Sequence, residues 1–210
     1  MAKLRSGILG QIRGKVAGVV GGQWKDKNYV REYVKPANPN TAGQQAQRSK
    51  FALAVTFAKQ LVGPIFNVYV DKFQKSMSGF NFFIKCNIAE FVAPINYEAI
   101  SLTSGKLFEA RITAISASSA DNLVTIETSV SLGSNGAVDD QVYLACYNQT
   151  SGRWGFADAT YNRGDGSTPH TVALVIQPSD PIQAYAISSQ LVSGVLASVG
   201  NSDHDFAIAT

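Results

Sequence analysis

The sequence predicts an α+β protein, with a small N-terminal β-hairpin and helices followed by a C-terminal immunoglobulin-like β-sandwich. Three observations support this fold class. Strand and helix periodicities both occur before residue 92, only strand periodicity occurs after Pro94, and the net charge changes sign between the two parts. We therefore expect two domains: a basic module of arm, hairpin and helices at residues 1–92, and an acidic sandwich at residues 95–210.

The charge is distributed unevenly along the chain. Residues 1–90 contain 14 of the 18 Lys and Arg residues and four acidic residues, a net charge of +10, whereas residues 91–210 carry −7. Such asymmetry predicts two parts that face different partners, one of them polyanionic or acidic. Charged residues make up only 16% of the chain, which suits surfaces packed against neighbours in an assembly, although an isolated β-sandwich would give a similar value.

The N-terminal region predicts a glycine-rich arm followed by a hairpin. Six glycines within residues 1–22 indicate an arm that is flexible or packs closely on another surface. Alternation then predicts strands at Lys15–Trp24 and Tyr29–Lys35 around a polar turn. Tyr29, Arg31, Tyr33 and Lys35 share one face of the second strand, a basic and aromatic pattern that suits nucleic acid, an acidic protein or an ordinary solvated surface.

Three helices are predicted next. The first spans Thr41–Val62, capped by Asn40 or Thr41 and ended by Gly63 and Pro64. Its predicted core stripe consists of Phe51, Ala54, Val55, Ala58, Leu61 and Val62. The second and third helices are expected at about Ile65–Met77 and Phe80–Phe91.

The remainder of the chain predicts seven short strands, the number expected of an immunoglobulin-like sandwich. They are expected at about Tyr97–Leu102, Ala110–Ser118, Leu123–Val130, Gln141–Tyr147, Arg153–Thr160, Thr171–Ile176 and Ile182–Ser189. Seven strands can close a core, so we expect residues 95–210 to fold alone.

A family resemblance lies in the first 52 residues. It is carried by Gly14–Val20, Trp24, Tyr29–Arg31, Asn38–Thr41 and the stretch from Gln44 to Ala52 that contains Arg48. The chain resembles a family of uncharacterised proteins from Bacteroidota and phages, whose members have a glycine-rich basic arm, an Asn-Pro-x-Thr-x-x-Gln-x-x-x-Arg helix start and a C-terminal immunoglobulin-like domain. The resemblance implies a component of a virion or another assembly, and implies no activity.

Arg48 of this motif has two interpretations that the sequence leaves open. Its planar guanidinium could clamp a carboxylate or phosphate of a partner. It could equally form a local salt bridge to Glu32 or Asp26 of the hairpin.

The leading hypothesis is a non-enzymatic structural protein of a phage-like virion or related multimeric assembly, which packs against copies of itself or other subunits through its basic module. The alternatives are a nucleic-acid-binding protein using the basic half and an adhesin-like binding module using the sandwich loops. The candidate contact residues for an assembly partner or a polyanion are Arg13, Lys15, Lys25, Lys27, Arg31, Arg48 and Lys59.

Catalytic chemistry is not predicted. No serine lies in a Gly-x-Ser-x-Gly turn, and no spacing indicates a metal site or a cofactor. His204, between Asp203 and Asp205, is interpreted as part of a solvated tail. Cys86 and Cys146 are interpreted as small buried residues rather than as a disulfide. We expect no enzyme, no small-molecule substrate and no metal.

Three surface motifs are interpreted as incidental. Arg163-Gly-Asp165 resembles an adhesion triplet but is explained by a plain turn. Asn148-Gln-Thr150 is a glycosylation triplet that has no meaning without secretion. Tyr147, Trp154 and Tyr161 could line a sugar-binding loop cluster, and we favour core and rim positions for them.

The N-terminus does not predict export. Gln11, Arg13 and Lys15 interrupt any apolar segment that could serve as a signal peptide. No apolar run reaches the roughly 18 residues that a membrane-spanning helix requires. We expect synthesis in the cytoplasm, a final location in a virion or particle, and no membrane span.

Overall fold

The computed structural model describes residues 2–4, 14–24, 27–35, 37–38, 40–74, 76–133, 135–165, 167–193 and 195–210. The chain divides into two units, Met1–Ala42 and Gly43–Thr210. The first contains a small antiparallel sheet, and the second contains helices and two further antiparallel sheets. The predicted α+β class is therefore confirmed.

The N-terminal unit is a four-stranded antiparallel sheet. Its strands are β1 (Ala2–Leu4), β2 (Gly14–Val16), β3 (Val19–Trp24) and β4 (Lys27–Glu32), in the order β1-β4-β3-β2. The predicted single strand at Lys15–Trp24 is wrong because Ala17 and Gly18 form a turn, with Ala17 at a φ of 51°. Residues 14–22, expected to form an arm, therefore lie in the sheet, and residues 5–13 lie outside the described ranges.

The second unit begins with a long helical run. It comprises α1 (Ala42–Ala58), a 3-10 turn (Lys59–Leu61) and a π-helix (Val62–Val70). The predicted end at Gly63 and Pro64 is wrong. Pro64 is the third residue of the π-helix, in a first turn whose N–H groups have no acceptor within that helix, so its missing N–H does not stop the run.

The later helices are shorter than expected. The π-helix ends at Val70 and a turn follows at residues 71–73, so the predicted helix at Ile65–Met77 is wrong in its second half. The next helix, α2, spans Gly79–Asn87, and Ser78 Oγ accepts a hydrogen bond from Asn81 N at 3.4 Å at its start.

The run Ala42–Val70 has the length and mean hydropathy of a membrane-spanning helix by composition alone. In the structure its second half is a core helix: Ala54, Phe57, Leu61 and Phe66 are buried against other elements of the same unit. A core helix of this kind meets the same criterion as a membrane span.

The rest of the second unit is a β-sandwich. Its strands are β5 (Ile112–Ser118), β6 (Leu123–Thr128), β7 (Gln141–Asn148), β8 (Arg153–Phe156), β9 (Tyr161–Asn162), β10 (His170–Ala173), β11 (Pro181–Val192), β12 (Val195–Val199) and β13 (Asp203–Ile208). One sheet has the order β10-β6-β5, and the other contains β8-β7-β11-β13, with β12 and β9 at its margins. The connections β6–β7, β9–β10 and β10–β11 pass between the two sheets, which is the immunoglobulin-like arrangement.

The strand predictions were accurate at six of seven positions. The expected strand at Tyr97–Leu102 is wrong, because Tyr97–Ala99 forms a 3-10 turn. Three strands were missed: β9, β12 and β13. The supposed solvated tail at Asp203–Asp205 opens β13, where Asp203 Oδ2 accepts a hydrogen bond from Ile112 N at 2.6 Å.

Strands β7 and β11 form the centre of the larger sheet and are buried on both faces. Leu144 and Cys146 face the smaller sheet, whereas Ala145 and Tyr147 belong to a second core. Alternate residues of a strand point to opposite faces, so one strand can serve two cores. The sandwich is therefore covered on the other face of its larger sheet.

Helices provide that cover. Phe57 of α1 lies with its ring centroid 4.7 Å from that of Tyr147 and 4.9 Å from that of Trp154. Trp154 Nε1 also donates a hydrogen bond to the Phe57 carbonyl oxygen at 3.1 Å. The helices thus share a core with the sandwich, and the chain divides at Ala42–Gly43 rather than at the expected boundary of residues 92–95.

The buried face of α1 differs from the predicted stripe. Phe51 is 51% exposed, whereas Phe57, absent from that stripe, is 3% exposed. Ala54, Ala58 and Leu61 are buried as predicted. The first three turns of the helix contain no buried residue, so apolar spacing alone did not show where the packed part begins.

These two phenylalanines allow a matched test. Phe57→Ala should lower the free energy of unfolding by about 3–5 kcal/mol because it leaves a cavity among five aromatic rings. Phe51→Ala, in the same helix, should change it by roughly 0.5 kcal/mol or less. Urea unfolding followed by circular dichroism measures the free energy of unfolding of both variants. Equal decreases would show that Phe57 is not part of the core.

The shared core also predicts how truncated chains behave. Residues 43–210 should unfold cooperatively, because they contain both cores. Residues 95–210 should bind a hydrophobic dye and lack a sharp thermal transition, because the face that carries Tyr147, Trp154 and Tyr185 would lose its helices. A cooperative melt of residues 95–210 would show that the helices are dispensable.

Candidate functional site

The structure separates the predicted basic contact residues into two groups. Lys15, Lys27 and Arg31 lie in the N-terminal sheet, whereas Arg48 lies in α1 and Lys59 in the 3-10 turn that follows it. Arg13 and Lys25 lie outside the described residues, and only the strand position of Lys27 is described. Of the five described residues, three therefore lie in the first unit and two in the second.

A basic row crosses the N-terminal sheet. Lys15 of β2 pairs with Val20 of β3, and Val20 pairs with Arg31 of β4. Residues directly opposite one another on neighbouring strands share a face. Tyr29 lies two residues before Arg31 and therefore on the same face. We call this surface the basic face.

The aromatic side chains of the basic face are engaged within the sheet. The Lys15 ammonium lies 3.7 Å from the centroid of the Tyr33 ring, within the range of a cation–π interaction. Tyr29 covers Gly22 on the neighbouring strand: a Cβ atom at Gly22 would lie 2.7 Å from the Tyr29 hydroxyl oxygen. The glycine leaves room for this ring, so Gly22 fixes the position of Tyr29.

The opposite face of this sheet is open and carries exposed valines beside Glu32, which pairs with Val19. Val16 pairs with Val19, and these residues are 62% and 41% exposed. Among the residues of 14–35 whose side chains the structure describes, Gly21 alone is buried. A sheet needs a covered hydrophobic face for independent stability, so this one requires a further surface.

The two units differ in charge. Residues 1–42 contain eight Lys and Arg residues and two acidic residues, a net charge of +6, whereas residues 43–210 carry −3. Opposite net charges of this kind favour contact between the first unit of one molecule and the second unit of another.

A cleft of about 460 Å³ lies in the second unit. It lies between α2, residues 98–104 and residues 201–204, and Glu98, Glu109 and His204 are among its lining residues. Asn87 builds one wall, donating a hydrogen bond to the Ser101 carbonyl oxygen at 3.0 Å and accepting one from Ser101 N at 2.9 Å. Sequence reasoning missed this cleft because its lining residues come from three segments far apart in the chain.

The cleft shows no arrangement for metal chemistry. Within the residues that the structure describes, no group of three or more His, Cys, Asp and Glu side chains could hold a metal ion.

The two cysteines differ in exposure. Cys86, which lines the cleft, is exposed, and Cys146 is buried, so the interpretation as buried residues is wrong for Cys86. Both cysteines are free thiols, and burial raises the pKa of the Cys146 thiol far above its usual value.

The Arg163-Gly-Asp165 triplet forms a 3-10 turn whose arginine is fully buried. Arg163 Nη1 donates to the Ser131 carbonyl oxygen at 3.2 Å, Nη2 donates to the Phe108 carbonyl oxygen, and Nε lies 3.8 Å from Asp140 Oδ2. Burial lowers the pKa of Arg163, and the Asp140 carboxylate opposes that effect. Arg163 therefore links its own turn to the loop that contains Phe108 and to the loop that contains Ser131 and Asp140. Its side chain is buried and cannot contact a partner at the surface.

The remaining surface motifs are also internal. Asn148 is fully buried, and its side-chain amide donates to Asp180 Oδ2 at 2.7 Å. Trp154 and Tyr147 are 8% exposed and lie in the core shared with the helices. The acceptor asparagine of the glycosylation triplet and two of the three aromatic residues of the adhesin hypothesis are therefore buried.

Together these features define an α+β protein with a basic, open N-terminal sheet and a helix-covered immunoglobulin-like sandwich. The chain matches the family of unknown function DUF6266 over residues 11–184, and it belongs to this family. No curated protein matches it significantly. No solved structure matches it significantly either.

The buried arginine provides a stability test. Arg163→Met should lower the free energy of unfolding by about 3–5 kcal/mol, because it leaves the buried Asp140 carboxylate without its counter-charge. The matched variant Arg153→Met removes an exposed arginine and should change it by roughly 0.5 kcal/mol or less. Equal effects in urea unfolding would contradict the role given to Arg163.

Proposed function

We propose that this protein is a non-enzymatic structural subunit of a multimeric assembly, in which the N-terminal sheet of one copy packs against a neighbouring subunit. The observation that carries the proposal is the open N-terminal sheet. It has a basic face with Lys15 and Arg31, an opposite face with exposed Val16 and Val19 beside Glu32, and almost no buried residue of its own. A surface of this composition is stabilised when another subunit covers it.

The charge balance supports a protein neighbour. The N-terminal unit carries +6 and the second unit −3, and glutamates line the large cleft of the second unit. Copies of one chain can therefore attract each other head to tail, and a head-to-tail contact builds rings or filaments. The resemblance to phage-encoded proteins suggests a phage-like particle as the assembly, formed after synthesis in the cytoplasm.

Nucleic acid is the second candidate partner, and the basic face favours it. Lys15, Arg31 and two tyrosines on one sheet resemble the combination of charge and stacking platforms that binds single strands. Within the sheet, however, the Tyr33 ring is covered by the Lys15 ammonium and Tyr29 lies over Gly22. Rings engaged in this way are less able to stack on bases, which supports a protein partner.

The assembly proposal is tested by reversing charge on the basic face. Lys15→Glu with Arg31→Glu should reduce the sedimentation coefficient of the full-length protein at low salt, because the variant loses attraction to its acidic neighbour. Electron microscopy should show loss of particles or filaments in the same sample. High salt should have a similar effect on the unaltered protein, because surface charges are screened.

The matched control is Lys106→Glu with Arg111→Glu, which makes the same charge change at exposed positions of the second unit. This control should assemble at least as strongly as the unaltered protein, because it makes the second unit more acidic. Equal loss in both variants would show that net charge alone matters, and no loss in either would overturn the proposed role of the sheet.

A binding assay separates the second candidate. Fluorescence anisotropy with a labelled single strand and a random duplex should show dissociation constants weaker than ~1 μM at physiological salt, as for non-specific contacts. Tighter binding with a steep salt dependence, lost in the Lys15→Glu, Arg31→Glu variant, would favour the nucleic-acid role instead.

A further inference from the structure

The cleft between α2, residues 98–104 and residues 201–204 has an acidic lining without compensating bases. Glu98 and Glu109 line it, and its lining residues include no lysine or arginine. Within the part of the chain that the structure describes, neither carboxylate forms an ion pair or a hydrogen bond. Asp203, by contrast, accepts a hydrogen bond from Ile112 N. The two glutamates are therefore available to a cation from outside the unit.

The charge of this lining distinguishes the cleft from three other recesses that the structure describes in the second unit. A recess beside β8 combines Asp121 with Arg153, and a groove beside β12 contains Lys72 and no acidic residue. A recess beside β10 contains a single acidic residue, Asp158. Of these four recesses, the cleft therefore attracts a cation most strongly.

The walls of the cleft are held in place by hydrogen bonds within the unit. Leu102 N donates to Ser202 Oγ at 2.8 Å, and Thr103 Oγ1 donates to the Gly200 carbonyl oxygen at 2.9 Å. Phe82, which is half-buried, adds an aromatic wall. An arginine side chain suits such a cleft, because its apolar stem can pack along the wall while its guanidinium reaches the carboxylates.

Arg31 of the basic face is a cation without a partner in its own sheet. It is exposed, and within the described residues its guanidinium forms no ion pair or hydrogen bond. Lys15, on the same face, already lies over the Tyr33 ring. A guanidinium presents its donors in a planar fork and makes paired hydrogen bonds to carboxylates, which an ammonium group cannot do. Arg31 is therefore the residue of the basic face that fits the cleft best.

We propose that Arg31 of one copy enters the cleft of a neighbouring copy and binds Glu98 and Glu109 there. Charge complementarity favours a second copy as the occupant, because the same chain carries this exposed arginine on a sheet that has almost no core of its own. The contact joins two different surfaces, so each added copy leaves one free cleft and one free Arg31 at the ends. This inference rests on the proposed function and assigns the surface that receives the N-terminal sheet.

A mixing experiment with full-length variants tests the contact. Arg31→Ala removes the donor, and Glu98→Gln with Glu109→Gln removes the acceptor. Each variant alone should associate at least about tenfold more weakly than the unaltered protein in sedimentation velocity at low salt. An equimolar mixture should form a one-to-one dimer that does not grow, because Arg31 of the glutamine variant can still enter the intact cleft of the alanine variant.

Matched controls remove the same charges at exposed positions outside the cleft. They are Arg111→Ala for the donor and Asp139→Asn with Asp158→Asn for the acceptor. Each control should change association by less than about threefold, because it alters net charge and leaves the contact intact.

Cys86 reports on the cleft without any substitution. It is exposed and lines the cleft, whereas Cys146 is buried. Labelling of Cys86 by a thiol reagent at low salt should slow by about fivefold or more between dilute and concentrated protein, as the fraction of free clefts falls. In Arg31→Ala the labelling rate should not depend on concentration.

The outcomes separate this inference from the proposed function. Normal association of the glutamine variant, a mixture that stays monomeric, or a labelling rate of Cys86 that is independent of concentration would overturn the cleft as the acceptor. If the Lys15→Glu, Arg31→Glu variant still loses association in that case, the proposed role of the sheet stands. Association of every variant like the unaltered protein would overturn both.

Discussion

The burial of β7 and β11 on both faces is the constraint on which the second unit depends. Leu144 and Cys146 face the smaller sheet, while Ala145 and Tyr147 face the helices, so neither core can be removed without exposing the same strand. The Phe57 ring and the hydrogen bond from Trp154 to its carbonyl oxygen fix α1 on the outer face. An immunoglobulin-like sandwich ordinarily leaves that face to solvent, and here it has become part of the interior.

The N-terminal sheet, unlike β7 and β11, is covered on neither face, and the proposed function depends on this difference. Its strands are paired in register, yet Val16 and Val19 remain exposed and the described side chains form no core. A unit with this composition gains stability when another surface covers it, and its charge favours an acidic one.

The alternation of apolar and polar residues was enough to predict the fold class and most strands, because successive side chains of a strand point to opposite faces. It failed where tertiary context decided the outcome: Pro64 did not end the helical run, Phe57 rather than Phe51 is buried, and the polar Asp203–Asp205 stretch begins a strand. One signal was available and unused. Tyr143, Ala145 and Tyr147 make the outer face of β7 nearly as apolar as its inner face, which indicates a strand buried on both sides. Of the candidate site, the face shared by Tyr29 and Arg31 followed from alternation, whereas the pairing that places Lys15 on the same face, and the cleft, required the folded chain.

We propose that a neighbouring subunit covers the N-terminal sheet. Hydrogen exchange can be measured by mass spectrometry at low salt over a range of protein concentrations. If a neighbour covers the sheet, amide protection in residues 14–33 should rise with concentration, while protection in β7 and β11, which are already buried, should stay high throughout. Equal protection of residues 14–33 in dilute and concentrated protein would show that no neighbour covers them.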